Sequence, residues 1–132
     1  MFFDDTLNYD REWLKQLCDL IKPLGVKWRC LCRCGLNLDL LPLMAKAGCV
    51  EVAYGIESCD DQILRTIRKG ITVADATKSI DSTKAAGIRA KALLMLGLPG
   101  ESPESVEKLR KWLRTVQPTD FDLTIYTPYP NS

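Results

Sequence analysis

A carboxylate and a hydroxyl close an alternating stretch near the middle of the chain. In Val50-Glu51-Val52-Ala53-Tyr54-Gly55-Ile56-Glu57-Ser58, Val50, Val52, Tyr54 and Ile56 fall on one face of an extended segment. Glu51, Ala53, Gly55 and Glu57 fall on the other. A carboxylate beside small residues has space to meet a ligand. Glu57 and Ser58 stand at the expected C-terminal end of this strand, the edge where α/β sheets and barrels bind ligands. The alternative is a solvated glutamate followed by a serine that caps the next helix. Cys30-Leu31-Cys32-Arg33-Cys34 places thiols at every second residue. Structural metal sites wrap C-x-x-C turns around an ion, which a straight C-x-C-x-C does not do. Cys30 and Cys32 therefore read as core, and Cys34, at the strand end, stays open between core and ligand. Cys18, Cys49 and Cys59 read as core or incidental.

Two further groups carry chemistry on one reading and structure on another. Gly97-Leu98-Pro99-Gly100-Glu101 follows an apolar run and precedes a helix start. Its glycines let a ligand approach the backbone, or simply make the turn. It is neither a Walker loop nor G-x-G-x-x-G. Asp4-Asp5 suits a cation or an ammonium group, and equally suits a neighbouring helix start. Histidine is absent from the sequence. That removes imidazole as base or ligand, and with it Ser-His and Cys-His nucleophile pairs.

The elements that must position these groups follow from periodicity. Met1 to Asp5 reads as the tail of a strand. Asn8 caps an expected helix over Tyr9 to Lys22, with Trp13, Leu14, Leu17, Cys18 and Ile21 as its apolar stripe. Val26 to Arg33 reads as a strand, with Val26, Trp28, Cys30 and Cys32 on one face and Lys27, Arg29, Leu31 and Arg33 on the other. A short helix over Asp39 to Ala47 stops at Gly48, and the strand ending at Ser58 follows. A helix over Asp60 to Lys69 opens with Ser58 and Asp61 spaced as a capping box. Thr72 and Asp75 open a second, over Val73 to Ala86. Ile88 to Leu96 is the most apolar strand. Ser102 caps a helix with Pro103 at its first position. Phe121 to Thr127 is the last strand, with Phe121, Leu123 and Ile125 on one side and Asp122, Thr124 and Tyr126 on the other.

Strands that alternate with helices of this length imply right-handed crossovers and a parallel sheet in sequence order. Three strands carry a polar face: Arg29 and Arg33; Glu51 and Glu57; Asp122, Thr124 and Tyr126. An unpaired buried charge costs several kcal/mol, on the order of 5. A sheet covered on both sides by helices has no place for these residues. The expected fold is therefore α/β, a partial parallel (β/α) barrel of about five strands with helices on the outer face. The other reading puts these residues on edge strands or at strand ends.

The 132 residues make one domain the natural prior. With 18 basic and 17 acidic residues, the net charge of +1 leaves no polyanion footprint, so nucleic-acid binding by charge is not supported. No apolar run has the roughly 20 residues of a membrane helix. Six cysteines without a secretion signal point to reduced thiols in the cytoplasm.

In order, Phe3-Asp4-Asp5-Thr6, the strand ending in Arg33, Ala47-Gly48-Cys49, Gly55-Ile56-Glu57-Ser58, Lys69-Gly70-Ile71-Thr72, Ala86-Gly87-Ile88, Gly97-Leu98-Pro99-Gly100-Glu101 and Thr127-Pro128-Tyr129-Pro130 resemble the radical S-adenosylmethionine enzymes. The likeness is nearest to the subgroup that often carries a cobalamin-binding domain, including cyclase-like Fe–S oxidoreductases. It covers essentially the whole chain. It implies a (β/α)₆ partial barrel of which residues 1–132 hold the second to sixth strands. It further implies a 4Fe–4S cluster, S-adenosylmethionine and, in this subgroup, cobalamin as the parent enzyme's cofactors. The parent reaction would be reductive cleavage to a 5′-deoxyadenosyl radical. By resemblance, Asp4 and Asp5 stand where the cofactor's amino group is held, and Glu57 and Ser58 at its ribose or carboxylate. Leu96, Gly97, Pro99 and Gly100 lie against the adenine, and Arg33 and Tyr126 line the lumen.

One departure bears on activity. The family binds its cluster through C-x-x-x-C-x-x-C after the first strand, and cysteines at 18, 30, 32, 34, 49 and 59 do not fit that spacing. The expectation is a fragment without the first strand and cluster loop, inactive by itself and holding no cofactor. Open strand edges on the first and last strands point to a homodimer. The rival readings are a small thiol or metal protein using Cys30, Cys32 and Cys34, and a non-catalytic interaction module.

Overall fold

The computed structural model describes residues 1, 2, 4 and 6–127. Asp5, with Phe3 and the Pro128-Tyr129-Pro130 tail, lies outside the described residues. Four strands form one parallel sheet in the order β1 (Trp28–Cys32), β2 (Cys49–Glu57), β3 (Arg89–Leu96), β4 (Asp120–Ile125). Helices α1 (Arg11–Ile21), α2 (Leu41–Lys46), α3 (Asp61–Thr66), α4 (Val73–Ala85) and α5 (Pro103–Val116) alternate with them. The expected N-terminal strand falls on residues described only in part. Phe2 and Leu7 donate their amides to Arg29 O and Leu31 O, so these two residues lie against the outer edge of β1.

The strands bury one face under the helices. Trp28, Cys30 and Cys32, then Val52, Tyr54 and Ile56, then Ala90, Ala92 and Leu94 join Leu14, Cys18, Met44, Ile80, Leu109 and Trp112 in one core. The period-two pattern explains these positions. Val26 and Val50, expected on that face, are exposed. Trp28 pairs with Cys49 and Arg29 with Glu51, so β2 bulges at Val50, and Cys49 takes the inward place.

Helix starts follow local polar chemistry. Thr72 and Asp75 form a reciprocal capping box at α4, and Ser102 and Ser105 do so at α5 with Pro103 in the first turn. Two expected caps are corrected. Asp10, not Asn8, caps α1 by accepting from Trp13 N–H. Asn8 is buried and donates to Arg33 O and Leu36 O while accepting from Arg33 N–H. Asp60, not Ser58, caps α3 by accepting from Gln62 N–H, and Ser58 Oγ accepts from Asp60 N–H. An aspartate next to the helix start takes the place of the more distant serine.

The other face of the sheet is polar and free of helices among the described residues. Glu51 sits between two cations, with Arg29 at 4.0 Å on β1 and Arg89 at 3.3 Å on β3. Lys91 reaches Asp122 at 2.9 Å and Asp120 at 3.4 Å on β4. Arg89 and Lys91 show that the polar face continues across the strand read as the most apolar. Its period-two alternation carried that signal. Leu31, Leu93 and Met95 are half-buried on this face, so it mixes ion pairs with apolar surface.

Candidate functional site: the C-terminal edge of the sheet

Glu57 ends β2 in an unusual backbone conformation, with φ of +70°. The register with β3 shifts here, Gly55 pairing with Leu93 and Glu57 with Leu94. This bulge turns the Glu57 side chain toward Lys69, whose Nζ donates to Glu57 Oε1 at 2.9 Å. Both side chains are largely shielded, at 18% and 30% exposure. The shielding holds the pair in a less screened setting than the surface. Gly55 makes this possible. A Cβ there would stand 3.0 Å from Glu57 Oε1 and 3.1 Å from Lys69 Nζ.

Arg33, just past β1, meets the same turn from the other side. Its Nη2 donates to Lys69 O at 3.1 Å and Gly70 O at 3.2 Å. Gly70 has φ of +70°, and a Cβ there would stand 2.7 Å from Arg33 Nη2. Arg33 and Glu57 thus converge on Lys69 and Gly70, one through the backbone and one through the side chain. A polar cavity of about 240 Å³ opens beside them, lined by Thr6, Cys32, Arg33, Gly55, Arg68 and Lys69 among others. Lys69, twelve residues after Glu57, entered the sequence reading only within the Lys69-Gly70-Ile71-Thr72 stretch, with no part in the site. No period links a strand end to the turn after the next helix.

Ser58 is buried beside this pair. Asp60 receives Lys108 Nζ of α5 at 2.6 Å, which holds its carboxyl below the ordinary range. That contact ties the β2–α3 turn to the helix that follows the glycine turn. In the glycine turn, Gly97 and Gly100 have φ of +81° and +88°. Gly97 donates its amide to Glu101 Oε1 at 2.9 Å, and Leu98 is buried as an anchor. Pro99 is exposed and Leu96 half-buried. Tyr126 lies along β3, its amide donating to Leu96 O at 2.8 Å. Asp4 is exposed. Arg33, Glu57 and Ser58 therefore gather at one place on the sheet edge. Leu96, Gly97, Pro99, Gly100 and Tyr126 gather at the next strand ends.

The six thiols do not fit an iron–sulfur cluster. All are free and buried. Cys30 Sγ lies 3.8 Å from Cys32 Sγ in the core. Burial pushes Cys18 and Cys34 up to about 11 and Cys59 up to about 12, away from the thiolate that binds metal. Contact with Cys30 raises Cys49 as well. Among the described residues, no three His, Cys, Asp or Glu side chains are placed to hold a metal ion. Nor is any described helix long and apolar enough to cross a membrane.

A family model described as the Radical SAM superfamily matches residues 2–113. Over 99% of its length, the chain is 31% identical to an uncharacterised methyltransferase of Pyrococcus horikoshii, spanning 29% of that protein. It is 32% identical to the anaerobic magnesium-protoporphyrin IX monomethyl ester cyclase of Rubrivivax gelatinosus, over 98% of this chain and 24% of the cyclase. Among solved structures it resembles the radical S-adenosylmethionine methyltransferase TsrM of Kitasatospora setae, which has cobalamin and a 4Fe–4S cluster bound. The TM-score is 0.81 at 20% identity, over 92% of this chain and 26% of TsrM. It also resembles coproporphyrinogen III oxidase (HemN) of Escherichia coli, with TM-score 0.79 at 16% identity, over 92% of this chain and 30% of HemN. An exposed polar sheet face with helices on the other side is what part of such a barrel requires. The chain belongs to the radical S-adenosylmethionine superfamily. It spans less than a third of the length of these relatives.

Proposed function

We propose that this chain forms the wall of a radical S-adenosylmethionine barrel that holds the nucleoside and amino-acid parts of S-adenosylmethionine. The observation that carries this reading is the convergence of Glu57, Ser58, Lys69 and Arg33 at the C-terminal edge of the sheet, one strand away from the Gly97–Gly100 turn. Glu57 and Ser58 offer a carboxylate and a hydroxyl to the ribose or carboxylate region. The open backbone around Gly97 and Gly100, with Leu96 and Pro99, offers a flat surface to adenine. Tyr126 flanks that surface, and Asp4 is the described carboxylate for the amino group on this reading.

The cluster belongs to other residues. When bound, it supplies the electron that cleaves the cofactor, a step this chain's buried thiols do not support. Isolated residues 1–132 are therefore a binding surface without catalytic activity, and they act in the cytoplasm. The parent's substrate is a small molecule. In the solved relatives, TsrM is described with tryptophan substrate and a cofactor analogue bound. Cobalamin as a further cofactor of the parent rests on the likeness to structures described with cobalamin bound, TsrM among them.

The test is amide NMR on the chain titrated with S-adenosylmethionine under reducing conditions. The expected result is weak binding, with shifts confined to Glu57, Ser58, Lys69 and residues 96–100. Shifts confined to the α1–α2 side, or none at any soluble concentration, overturn the reading. Anaerobic reconstitution is the second arm. Appearance of the broad visible band of a thiolate-held cluster would overturn the assignment of the cluster to other residues.

A further inference from the structure

Arg33 stands just past the end of β1, which closes at Cys32. The last pair of the β1–β2 ladder is Cys32 with Tyr54, so the ladder stops short of the Arg33 peptide. Asn8 takes over at that point. Its Oδ1 accepts from Arg33 N–H at 2.8 Å, and its Nδ2 donates to Arg33 O at 2.9 Å. One carboxamide thus answers both backbone groups of Arg33, as an opposing residue does in an antiparallel pair. Nδ2 also donates to Leu36 O at 2.8 Å. Asn37 Nδ2 donates in turn to Asn8 O at 2.9 Å. Asn8 is 3% exposed, so its amide has no solvent to turn to instead.

Arg33 passes the restraint on. Its Nη2 donates to Lys69 O and Gly70 O, and Lys69 Nζ donates to Glu57 Oε1. Hydrogen bonds therefore run without a gap from Asn8 to the Glu57 carboxylate. The turn after α3 needs such a tie. Its own backbone bond, from Lys69 N–H to Leu64 O, ends the helix but does not direct the turn toward the sheet. Glu57 needs one too, because a non-glycine residue keeps a φ of +70° only where its surroundings impose it.

On the reading that Glu57 meets S-adenosylmethionine, we infer that Asn8 is a positioning residue for its carboxylate. Asn8 fixes the backbone of Arg33, Arg33 fixes the turn at Lys69 and Gly70, and the turn presents Lys69 to Glu57. The side-chain type suits the task. Aspartate would keep the acceptor but set a charge against the carbonyl oxygens of Arg33 and Leu36. Serine has one hydroxyl, too short to span both groups of the Arg33 peptide. A short carboxamide carries a donor and an acceptor side by side.

Asn8→Ala, followed at Lys69, tests this. Loss of the Asn8 bonds lowers stability whatever else Asn8 does, so the urea midpoint alone does not decide. Asp10→Ala is the control. It removes the α1 cap on Trp13 N–H, close in sequence, and leaves the bonds of Asn8, Arg33 and Lys69 in place. Both variants should lower the midpoint. Only Asn8→Ala should cost the Lys69 ammonium its hydrogen-bonded NMR signal. It should also raise the Kd for S-adenosylmethionine by about threefold or more, on the scale of one net hydrogen bond. Arg33→Met, at an exposed position, should abolish the same Lys69 signal.

An unchanged Lys69 signal in folded Asn8→Ala overturns the inference, as does equal loss of that signal in Asp10→Ala. Unchanged affinity beside a lost signal overturns it as well. Should Asn8→Ala not fold, the wild-type chain decides. In urea below the midpoint, the Arg33 amide should lose exchange protection together with the Lys69 signal, as one local opening. A Lys69 signal that outlasts the protection of Arg33 overturns the inference. A wild-type chain that binds no S-adenosylmethionine defeats the reading of Glu57 as a cofactor contact, and the Lys69 signal then decides the positioning alone.

Discussion

Lys69 Nζ lies 2.9 Å from Glu57 Oε1, and the two meet over residue 55, where a side chain would crowd both. A glycine in a strand interior ordinarily weakens it. At Gly55 the missing Cβ opens the space that a strand end, a bulge and the turn after α3 share. Gly55→Ala should separate the ion pair while leaving the fold intact, because both crowded atoms are the far ends of flexible side chains. The expected outcome is a stability change within about 1 kcal/mol, as alanine also restricts the unfolded chain. The Lys69 ammonium signal in NMR should lose its hydrogen-bonded shift. An unchanged Lys69 signal would show that the pair does not depend on this space.

Gly48→Ala should be far more costly. Gly48 has φ of +94°, and its missing Cβ would press on the carbonyl oxygen of Val26. Gly48 O in turn accepts from Trp28 N–H at 3.1 Å, at the start of β1. A left-handed residue and a backbone clash together should remove about 2–3 kcal/mol or more, read from the urea midpoint. A shift below about 0.5 kcal/mol would mean that the α2–β2 turn rearranges freely.

Alkali should destabilise the chain before it touches lysine chemistry. Burial raises the thiols of Cys18 and Cys34 to about 11 and of Cys59 to about 12, from an ordinary 9.0. Between these values the unfolded chain has lost protons that the folded chain retains. Stability is then complete below about pH 9 and falls as pH rises toward 11. Urea midpoints at pH 8 and pH 10 measure it. The same burial predicts that an aromatic disulfide reagent at pH 8 modifies the native thiols slowly and all six at once in urea.

Acid should act through different groups. The Lys108 ammonium holds the Asp60 carboxyl low, and the Thr72 hydroxyl holds Asp75 low. Carboxyls held low stabilise the fold above the ordinary carboxyl range, and that contribution is lost as pH falls from that range through their lowered values. Lys108→Met should bring the Asp60 titration, followed by carboxyl NMR, back toward the ordinary value of 3.8. Asp75 should not move, since Thr72, the cap at the start of α4, holds it low.

Much of this was legible in the sequence, and the parts that were not share a cause. Alternation over 52–57 gives both faces of β2, because side-chain period is a local property, while the same period in 89–96 passed unread behind that strand's apolar character. The cap at Thr72 and Asp75 is equally local. Asn8 misled because it also has the chemistry of a cap. Its amide is taken by Arg33 and Leu36, more than twenty residues away, and Asp10 caps the helix instead. Val50 misled because one extra residue in β2 flips the alternation, which only the pairing with β1 reveals. At the site, Glu57 and Ser58 stood out as a strand end. Lys69 did not, since nothing in spacing brings residue 69 onto residue 57; a crossover through α3 does.

The N-terminal segment along β1 works as a selvedge. With Phe2 and Leu7 fastened to that margin, the Arg29 and Leu31 carbonyls of β1 are closed to a foreign strand. Releasing those two amide bonds would open them. Mild conditions that fray this strip, long before the core around Leu14 and Tyr54 melts, are where seeded polymerisation of the chain should begin.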